Sequence, residues 1–343
     1  MIDFRYHLVS IVAVFLALAI GLVLGSTELQ GPTLDALRTT SDSLSSQLAK
    51  AQAERDAYSA QVSADQSFAS ANETTLLKNL LTGQSIVLVT EPGAQAGVIS
   101  GITAAAKVAG ATITGTIALQ SKFYDTSTTT EAALNEIDGN FASADGISLV
   151  TASDQQTANQ QQAAQLIAMA SVTKTTTAST AVTLTSTQAQ SVLSTFQQGG
   201  YISGQPSDKA TLAIIVTPGS APSDGSSDPE NQVLVAVAQE YAAESTATVA
   251  AGNASGDSGG SAMSVLRSSN VAGDVSTIDN ADTTTGQITV IQALASQAQT
   301  GKAGSYGVDS GATSGGPSPA PTPSASVSAS PSTSSTKKAQ DKK

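Results

Sequence analysis

Residues 83–119 read GQSIVLVTEPGAQAGVISGITAAAKVAGATITGTIAL, and this stretch decides the fold of the globular part. The run at 86–89 is continuously apolar and rich in β-branched residues, which is typical of a strand covered on both faces. The turn signal Thr90-Glu91-Pro92-Gly93 follows it, and an alanine-rich stretch to about residue 109 predicts a helix. Residues 111–119 predict a second strand, so the whole stretch is one strand–helix–strand unit.

The same pattern recurs towards the C-terminus, where a second strand end carries Thr217-Pro218-Gly219. Further strands are predicted at 210–216, 246–250 and 275–278, and further helices at 131–141, 161–171, 231–243, 262–268 and 287–298. Strands that alternate with helices favour a mostly parallel sheet with right-handed crossovers. The fold class is therefore α/β, with a Rossmann-like domain.

Residues 8–24, LVSIVAVFLALAIGLVL, are long and apolar enough to cross a bilayer, which takes about twenty such residues. An uncleaved anchor is favoured. A signal peptide is the alternative, because Ala17-Leu18-Ala19 fits a cleavage site, although the apolar run continues beyond it. A buried helix of a soluble protein is the third interpretation.

Charges on the two sides of this segment predict its orientation. Arg5 precedes it, whereas Glu28 and Asp35 follow it, which favours a cytoplasmic N-terminus. The expected protein is a single-pass protein of the cell membrane, with its bulk outside the cytoplasm.

Small residues recur every four positions along the span, at Ala13, Ala17, Gly21 and Gly25. This spacing predicts a shallow stripe on which two membrane helices pack closely. The alternative is that alanine and glycine are simply common in membrane helices.

A heptad pattern follows Gly31-Pro32, where a helix break is predicted. Its apolar seam consists of Leu34, Leu37, Leu44, Leu48, Ala51, Tyr58 and Val62, with Ser41 and Arg55 as weaker members. With the small-residue stripe, this seam predicts a parallel homodimer. The alternative is a helix that packs onto its own globular domain.

The C-terminal stretch GPSPAPTPSASVSASPSTSST is rich in proline and serine and has no periodicity, which predicts disorder. The predicted parts are an anchor with a short stub, a coiled coil, a Rossmann-like domain and a disordered tail, at residues 1–31, 32–78, 79–303 and 304–343.

Composition excludes several functions. A net charge of −12 disfavours binding to nucleic acid, and cysteine is absent. His7 is the sole histidine and lies beside the span, so a histidine-based catalytic site in the domain is excluded. The glycine-rich stretch 252–260 matches no phosphate-binding motif and is expected to be a surface loop. No catalytic, cofactor-binding or metal-binding residue is predicted, and the chain is not expected to be an enzyme.

The N-terminal sequence MIDFRYHLVSIVAVFLALAIGLVLGS, the heptad segment, the 83–119 unit and GQITVIQALAS near the C-terminus together resemble the actinobacterial MctB copper transport family, over roughly residues 1–308. The resemblance implies a cell-envelope protein linked to copper homeostasis, in a family described as an outer-membrane channel. Other relatives look like single-span partners in a cell-division complex that regulates peptidoglycan hydrolases.

Copper is implied only by this resemblance, because the residues supply no matching ligand motif. Copper(I) favours thiolate and thioether ligands, and the chain offers only Met169 and Met263 besides the initiator, in no Met-x-x-Met cluster. Both are expected in the core. The expected function is a tethered, non-enzymatic component of copper transport or homeostasis. The alternative is a dimeric single-span scaffold in a cell-division or cell-wall complex.

Overall fold

The computed structural model describes residues 4–151, 157–174, 183–219, 229–253 and 261–323, without the side chains of residues 4, 26–34 and 145. The chain divides into two compact units, Met1–Asp65 and Gln66–Lys343. The α-helices are α1 Phe4–Leu77, α2 Ala96–Val108, α3 Thr128–Asp145, α4 Ala158–Ser171, α5 Ser186–Gln198, α6 Pro229–Glu244, α7 Ala262–Ser268 and α8 Thr284–Thr300. The strands are β1 Ser85–Thr90, β2 Thr112–Leu119, β3 Ile202–Ser203, β4 Leu212–Val216, β5 Ala247–Ala251, β6 Val275–Ile278 and β7 Ser305–Tyr306.

The strands form one seven-stranded sheet in the order β3-β2-β1-β4-β5-β6-β7. All neighbouring pairs are parallel except β2 and β3, which run antiparallel at one edge. The predicted α/β class and the mostly parallel sheet are confirmed. The chain builds outward from β1 in one direction with β2 and in the other with β4, so β1 and β4 flank the point where the strand order reverses.

The central strands are buried on both faces, which explains their continuous apolar runs. Alternate residues of each strand point to opposite sides: Val87 and Val89 join the core beneath α3–α7, whereas Ile86 and Leu88 join the core beneath α2 and α8. The end of α1 also packs on the side of the sheet that α2 and α8 cover, through Ala69 and Leu77.

Helix α5 was not predicted from the apolar pattern, although its start carries a recognisable signal. Thr185 and Gln188 form a capping box, in which each side chain satisfies the backbone N–H of the other. Val192 and Phe196 bury its inner face.

The predicted helix break at Gly31-Pro32 is wrong, since α1 continues through both residues. Proline removes one intrahelical hydrogen bond, but it does not end the helix here.

The structured chain continues past the predicted domain boundary at residue 304. Strand β7 pairs with β6, and the side chain of Gln299 donates to the backbone oxygen of Thr322 at 2.8 Å. The remainder of the predicted tail, residues 324–343, lies outside the described residues.

Candidate functional site

The candidate site lies at the carboxyl edge of the sheet, where β1 and β4 end side by side. Open parallel sheets bind ligands in the crevice outside the carboxyl ends of the strands, at the point where the strand order reverses. Glu91 is the first residue after β1, and its N–H donates to the Val216 oxygen at 2.9 Å. Thr217 is the first residue after β4, and its N–H donates to the Ala251 oxygen at 2.9 Å. Backbone hydrogen bonds therefore fix both residues beside each other at the edge.

Glu91 is a buried carboxyl group whose direct partner is a tyrosine. Its side chain is 5% exposed, and Oε2 accepts a hydrogen bond from the hydroxyl of Tyr124. Tyr124 ends a 3₁₀ turn, Ser121–Tyr124, that follows β2. Burial raises the pKa of Glu91 to about 7, and the Tyr124 hydrogen bond opposes part of that rise. Burial and the Glu91 charge raise the pKa of the Tyr124 hydroxyl, which stays a donor. Oε1 of Glu91 has no partner among the described residues.

Thr217 presents a second buried polar atom. Its side chain is 1% exposed, and Oγ1 has no hydrogen-bond partner in the described part of the chain. The hydroxyl lies against Gly252 at the end of β5: a Cβ on Gly252 would lie 2.5 Å from Oγ1. Glycine is therefore required at 252 for the Thr217 hydroxyl to fit.

Gln160 contributes a third unpaired oxygen from the first turn of α4. The side chain is fully buried, its Nε2 donates to the Asp125 backbone oxygen at 3.1 Å, and its Oε1 has no partner within the described stretches. Asp125 directly follows Tyr124, so Gln160 lies close to the tyrosine that holds Glu91.

A different arrangement follows β6. Asp279 is 0% exposed and pairs with Arg267 at 2.9 Å between Oδ2 and Nη2. Its two oxygens also accept from the backbone N–H groups of Val308 and Asp309, at 2.7 and 3.2 Å. Arg267 in turn donates to the Tyr306 oxygen at 2.8 Å. This carboxylate has its hydrogen bonds and its countercharge, and it fastens the chain around β7 to the sheet.

The predicted helix-packing stripe lies on α1. The candidate membrane span is Arg5–Gly25, no part of which is buried. Ala13, Ala17, Gly21 and Gly25 are all exposed, and an added Cβ on either glycine would meet nothing within 4 Å. The stripe is open, and its role in helix packing stays a prediction.

The predicted heptad seam also lies on α1. Leu37, Leu44, Leu48, Tyr58 and Val62 are between 54% and 73% exposed, and Ala51 is exposed as well. The side chain of Leu34 lies outside the described residues. The seam therefore stays a prediction of pairing.

Met169 and Met263 are buried in the core, as expected. The described residues contain no group of three or more His, Cys, Asp or Glu side chains arranged to hold a metal ion. The predicted glycine-rich loop lies outside the described residues from 254 to 260, while Gly252 and Asn253 are described.

Sequence reasoning did not identify Glu91, Thr217 or Gln160. The repeated Thr/Pro/Gly turns mark the ends of β1 and β4, and Glu91 and Thr217 lie in those turns. Gln160 carried no signal, because a glutamine in a polar helix start is expected to be exposed.

Comparison with known proteins identifies the family. Residues 1–317 match the family described as copper transport outer membrane protein, MctB. A copper transporter MctB of Mycobacterium bovis is 30% identical over 318 residues, which cover 92% of this chain and 98% of that protein. The copper transporter MctB of Mycobacterium leprae is 29% identical over 322 residues, with 92% and 98% covered. The chain belongs to the MctB copper transport family.

Proposed function

We propose that this protein serves copper transport or homeostasis as a tethered, non-enzymatic component of the cell envelope. The observation that carries the proposal is the contrast between the two parts of the chain. Among the described residues, Arg5–Gly25 is the one helix long and apolar enough to cross a membrane. The strands that follow belong to a sheet covered by helices on both faces. Family membership and the names of the relatives support the link to copper.

The proposed topology is single-pass in the cell membrane, with a cytoplasmic N-terminus. Arg5 lies at the start of the span, and basic residues favour the cytoplasmic side. The α/β unit is then outside the cytoplasm, in contact with the envelope. A non-enzymatic role agrees with the position of His7, the chain's sole histidine, which lies within the span Arg5–Gly25 and cannot serve as a base in the α/β unit.

A complementation experiment tests this proposal. A deletion strain receives the full chain, a chain whose residues 5–25 are replaced by an unrelated membrane helix, or a chain with a cleavable signal in place of the span. We expect both anchored chains to restore copper tolerance and the released chain to fail. Unchanged copper tolerance in the deletion strain would overturn the proposal. Membrane fractionation of the same strains distinguishes the cell membrane from the outer membrane.

The exposed heptad seam favours a second candidate function, a dimeric scaffold in a cell-division or cell-wall complex that regulates peptidoglycan hydrolases. Leu44 and Leu48 are each 60% exposed on α1, and Val62 is 54% exposed. Regularly spaced apolar side chains of this kind are buried when a second helix joins them. A second copy of the chain, aligned in parallel by the membrane span, is the proposed partner.

Cysteine cross-linking tests the dimer directly, because the chain contains no cysteine. Leu44→Cys is expected to form a disulfide-linked dimer of the full chain in membranes, whereas Gln47→Cys, outside the seam on the same helix, is expected to cross-link far less. Equal cross-linking at the two positions would contradict a specific seam. A cell-separation defect of the deletion strain, with normal copper tolerance, would favour the scaffold over the copper function.

A further inference from the structure

Five buried oxygens near the carboxyl edge of the sheet have no hydrogen-bond partner among the described residues. Two of them, Oδ1 of Asn253 and Oδ1 of Asn280, follow β5 and β6. The other three are Oε1 of Glu91, Oγ1 of Thr217 and Oε1 of Gln160, and we call them the acceptor cluster. Unsatisfied buried polar groups are rare in native proteins and each costs stability, so a group of them at one edge requires an explanation.

Three elements place these oxygens on the same side of the carboxyl edge. Glu91 and Thr217 follow neighbouring parallel strands, one position beyond the paired residues Thr90 and Val216. Alternate residues of each strand face α3–α7, and Glu91 and Thr217 fall on that same side. Gln160 joins the same side through Asp125, the residue after the Tyr124 that holds Glu91.

Glu91 is the one ionisable member of the cluster. Lys122 acts electrostatically on the neighbouring Asp125, and its Nζ donates to the Gly199 oxygen at 2.8 Å. Next to Tyr124 in the chain, the side chain of Asp125 is exposed, and hydrogen bonds from Thr130 and Ser127 lower its pKa. Asp125 is therefore a second, ionised carboxylate beside the residues that hold the cluster.

We propose that the acceptor cluster binds the primary ammonium group of a small ligand. An ammonium group has N–H donors and no acceptor. It also carries a positive charge, and Glu91 has no positively charged partner of the kind that Arg267 is for Asp279. A hydroxyl group would supply a single donor and no charge. A divalent metal ion would find one carboxylate in the cluster, where such ions usually bind several oxygen ligands with more negative charge. Anions are disfavoured by Glu91 and Asp125. The inference concerns the α/β unit alone and is independent of the proposed copper function.

A binding experiment on the full chain in detergent micelles tests the proposal. Methylammonium chloride is the probe, and its binding is followed by saturation-transfer NMR at the methyl resonance. Tetramethylammonium chloride has the same charge without an N–H, and methanol has a similar size without the charge. We expect saturable binding of methylammonium. We expect no saturable binding of tetramethylammonium or of methanol. Equal signals from methylammonium and tetramethylammonium would overturn the proposal, as would the absence of any saturable binding.

Variants connect the binding to the cluster. Glu91→Gln keeps the side-chain size and removes the charge, and it is expected to weaken methylammonium binding about tenfold or more. Thr217→Val replaces the hydroxyl by a methyl group and is expected to weaken binding less. Glu136→Gln, at an exposed position of α3, is the matched control and should bind as the unmodified chain does. Circular dichroism verifies that each variant is folded. Unchanged binding in folded Glu91→Gln and Thr217→Val chains would contradict the site.

Discussion

Glu91 and Asp279 occupy equivalent places in the sheet, one residue beyond β1 and one residue beyond β6, and both are buried. Asp279 has a guanidinium partner, Arg267, and accepts two backbone N–H groups. Glu91 accepts one hydrogen bond from Tyr124, and its other oxygen has no partner among the described residues. Two equivalent positions of the sheet thus carry different groups. Asp279 has a hydrogen-bond partner for each oxygen and a countercharge, whereas Glu91 has one oxygen without a partner among the described residues.

The difference separates a structural role from a binding role. The Asp279 group fastens the residues around β7 to the sheet and contributes to stability through a complete set of partners. Glu91 lowers stability when it is ionised, because the hydrogen bond from Tyr124 offsets only part of its desolvation. Proteins retain such costs mainly at functional sites. This contrast leads to four predictions.

The largest effect is expected from Arg267→Met, which removes the countercharge of Asp279. The side chains of Arg267 and Asp279 are 8% and 0% exposed. Breaking a buried ion pair from one side leaves the other charge unpaired, so the free energy of unfolding should fall by about 3–5 kcal/mol. Thermal and denaturant unfolding of the full chain, followed by circular dichroism, measures the change.

The matched control is Arg55→Met. Arg55 pairs with Asp56 at 2.8 Å, but both side chains are more than two thirds exposed. Exposed ion pairs contribute little to stability, and no measurable change is expected. A loss of similar size in both variants would show that burial does not distinguish the two pairs.

Glu91→Gln should remove a pH dependence of stability. Burial raises the pKa of Glu91 from 4.5 to about 7. Between these values the folded chain holds a proton that the unfolded chain has lost, so stability falls as pH rises through this window, by about 3 kcal/mol in total. The variant should therefore gain stability relative to the unmodified chain from pH 4 to pH 8, as measured by unfolding at several pH values.

Asp138 adds a pH dependence of stability to the unmodified chain and to the Glu91→Gln variant alike, because burial raises its pKa to about 8. The difference between the two chains isolates Glu91. Glu136→Gln, at an exposed position of α3, serves as the control for the loss of one carboxylate. A flat difference for Glu91→Gln would mean that Glu91 is ionised at no cost in the folded state.

The sequence was sufficient to predict five of the seven strands, because these five are apolar runs bounded by turn signals. The two-residue edge strands β3 and β7 were not predicted. The run at 86–89 is apolar at every position, and the structure buries β1 on both faces. Helices α4, α6 and α7 were predicted within a few residues of their observed bounds. Local pattern and tertiary burial agree in these elements, which is the condition under which sequence reasoning succeeds.

The acceptor cluster could not be predicted in the same way. The burial of Glu91, Thr217 and Gln160 depends on three segments far apart in the chain. A carboxylate beside Pro92 in a turn signal is usually exposed, and nothing local to residue 91 indicates that Tyr124 covers it. Asp138, buried without a partner among the described residues, was missed for the same reason. Side-chain environment is a tertiary property, whereas hydrophobic period is a local one.

Gly307→Ala tests how closely Asp279 is enclosed. Gly307 has φ +132°, and a Cβ there would lie 2.0 Å from Oδ1 of Asp279. Both the backbone conformation and the clash oppose the substitution. Gly311→Ala is the control, since its φ is +101° but its nearest contact would be Cδ of Arg267 at 3.6 Å. We expect Gly307→Ala to cost about 1–3 kcal/mol more than Gly311→Ala in unfolding experiments. Equal costs would mean that backbone strain alone is responsible and that Asp279 has room to move.

The smallest effect is expected from Tyr124→Phe, which removes the hydroxyl that donates to Glu91. At pH 5 the loss of this buried hydrogen bond should lower the free energy of unfolding by about 1 kcal/mol. The same loss should raise the pKa of Glu91 further, because the hydrogen bond from Tyr124 favours its ionised form. Unfolding measured from pH 4 to pH 9 should therefore show the window of declining stability extended to higher pH.

Tyr241→Phe is the matched control, because the buried Tyr241 hydroxyl pairs with the neutral Ser171 at 3.1 Å. Tyr241→Phe should lower stability by a similar amount at every pH and leave unchanged the pH range over which stability declines. If Tyr124→Phe also left the window in place, the hydroxyl would not set the ionisation of Glu91. The difference between Glu91 and Asp279 would then depend on the guanidinium of Arg267 and on the two backbone N–H groups that Asp279 accepts, since the tyrosine hydroxyl would contribute nothing to the ionisation of Glu91.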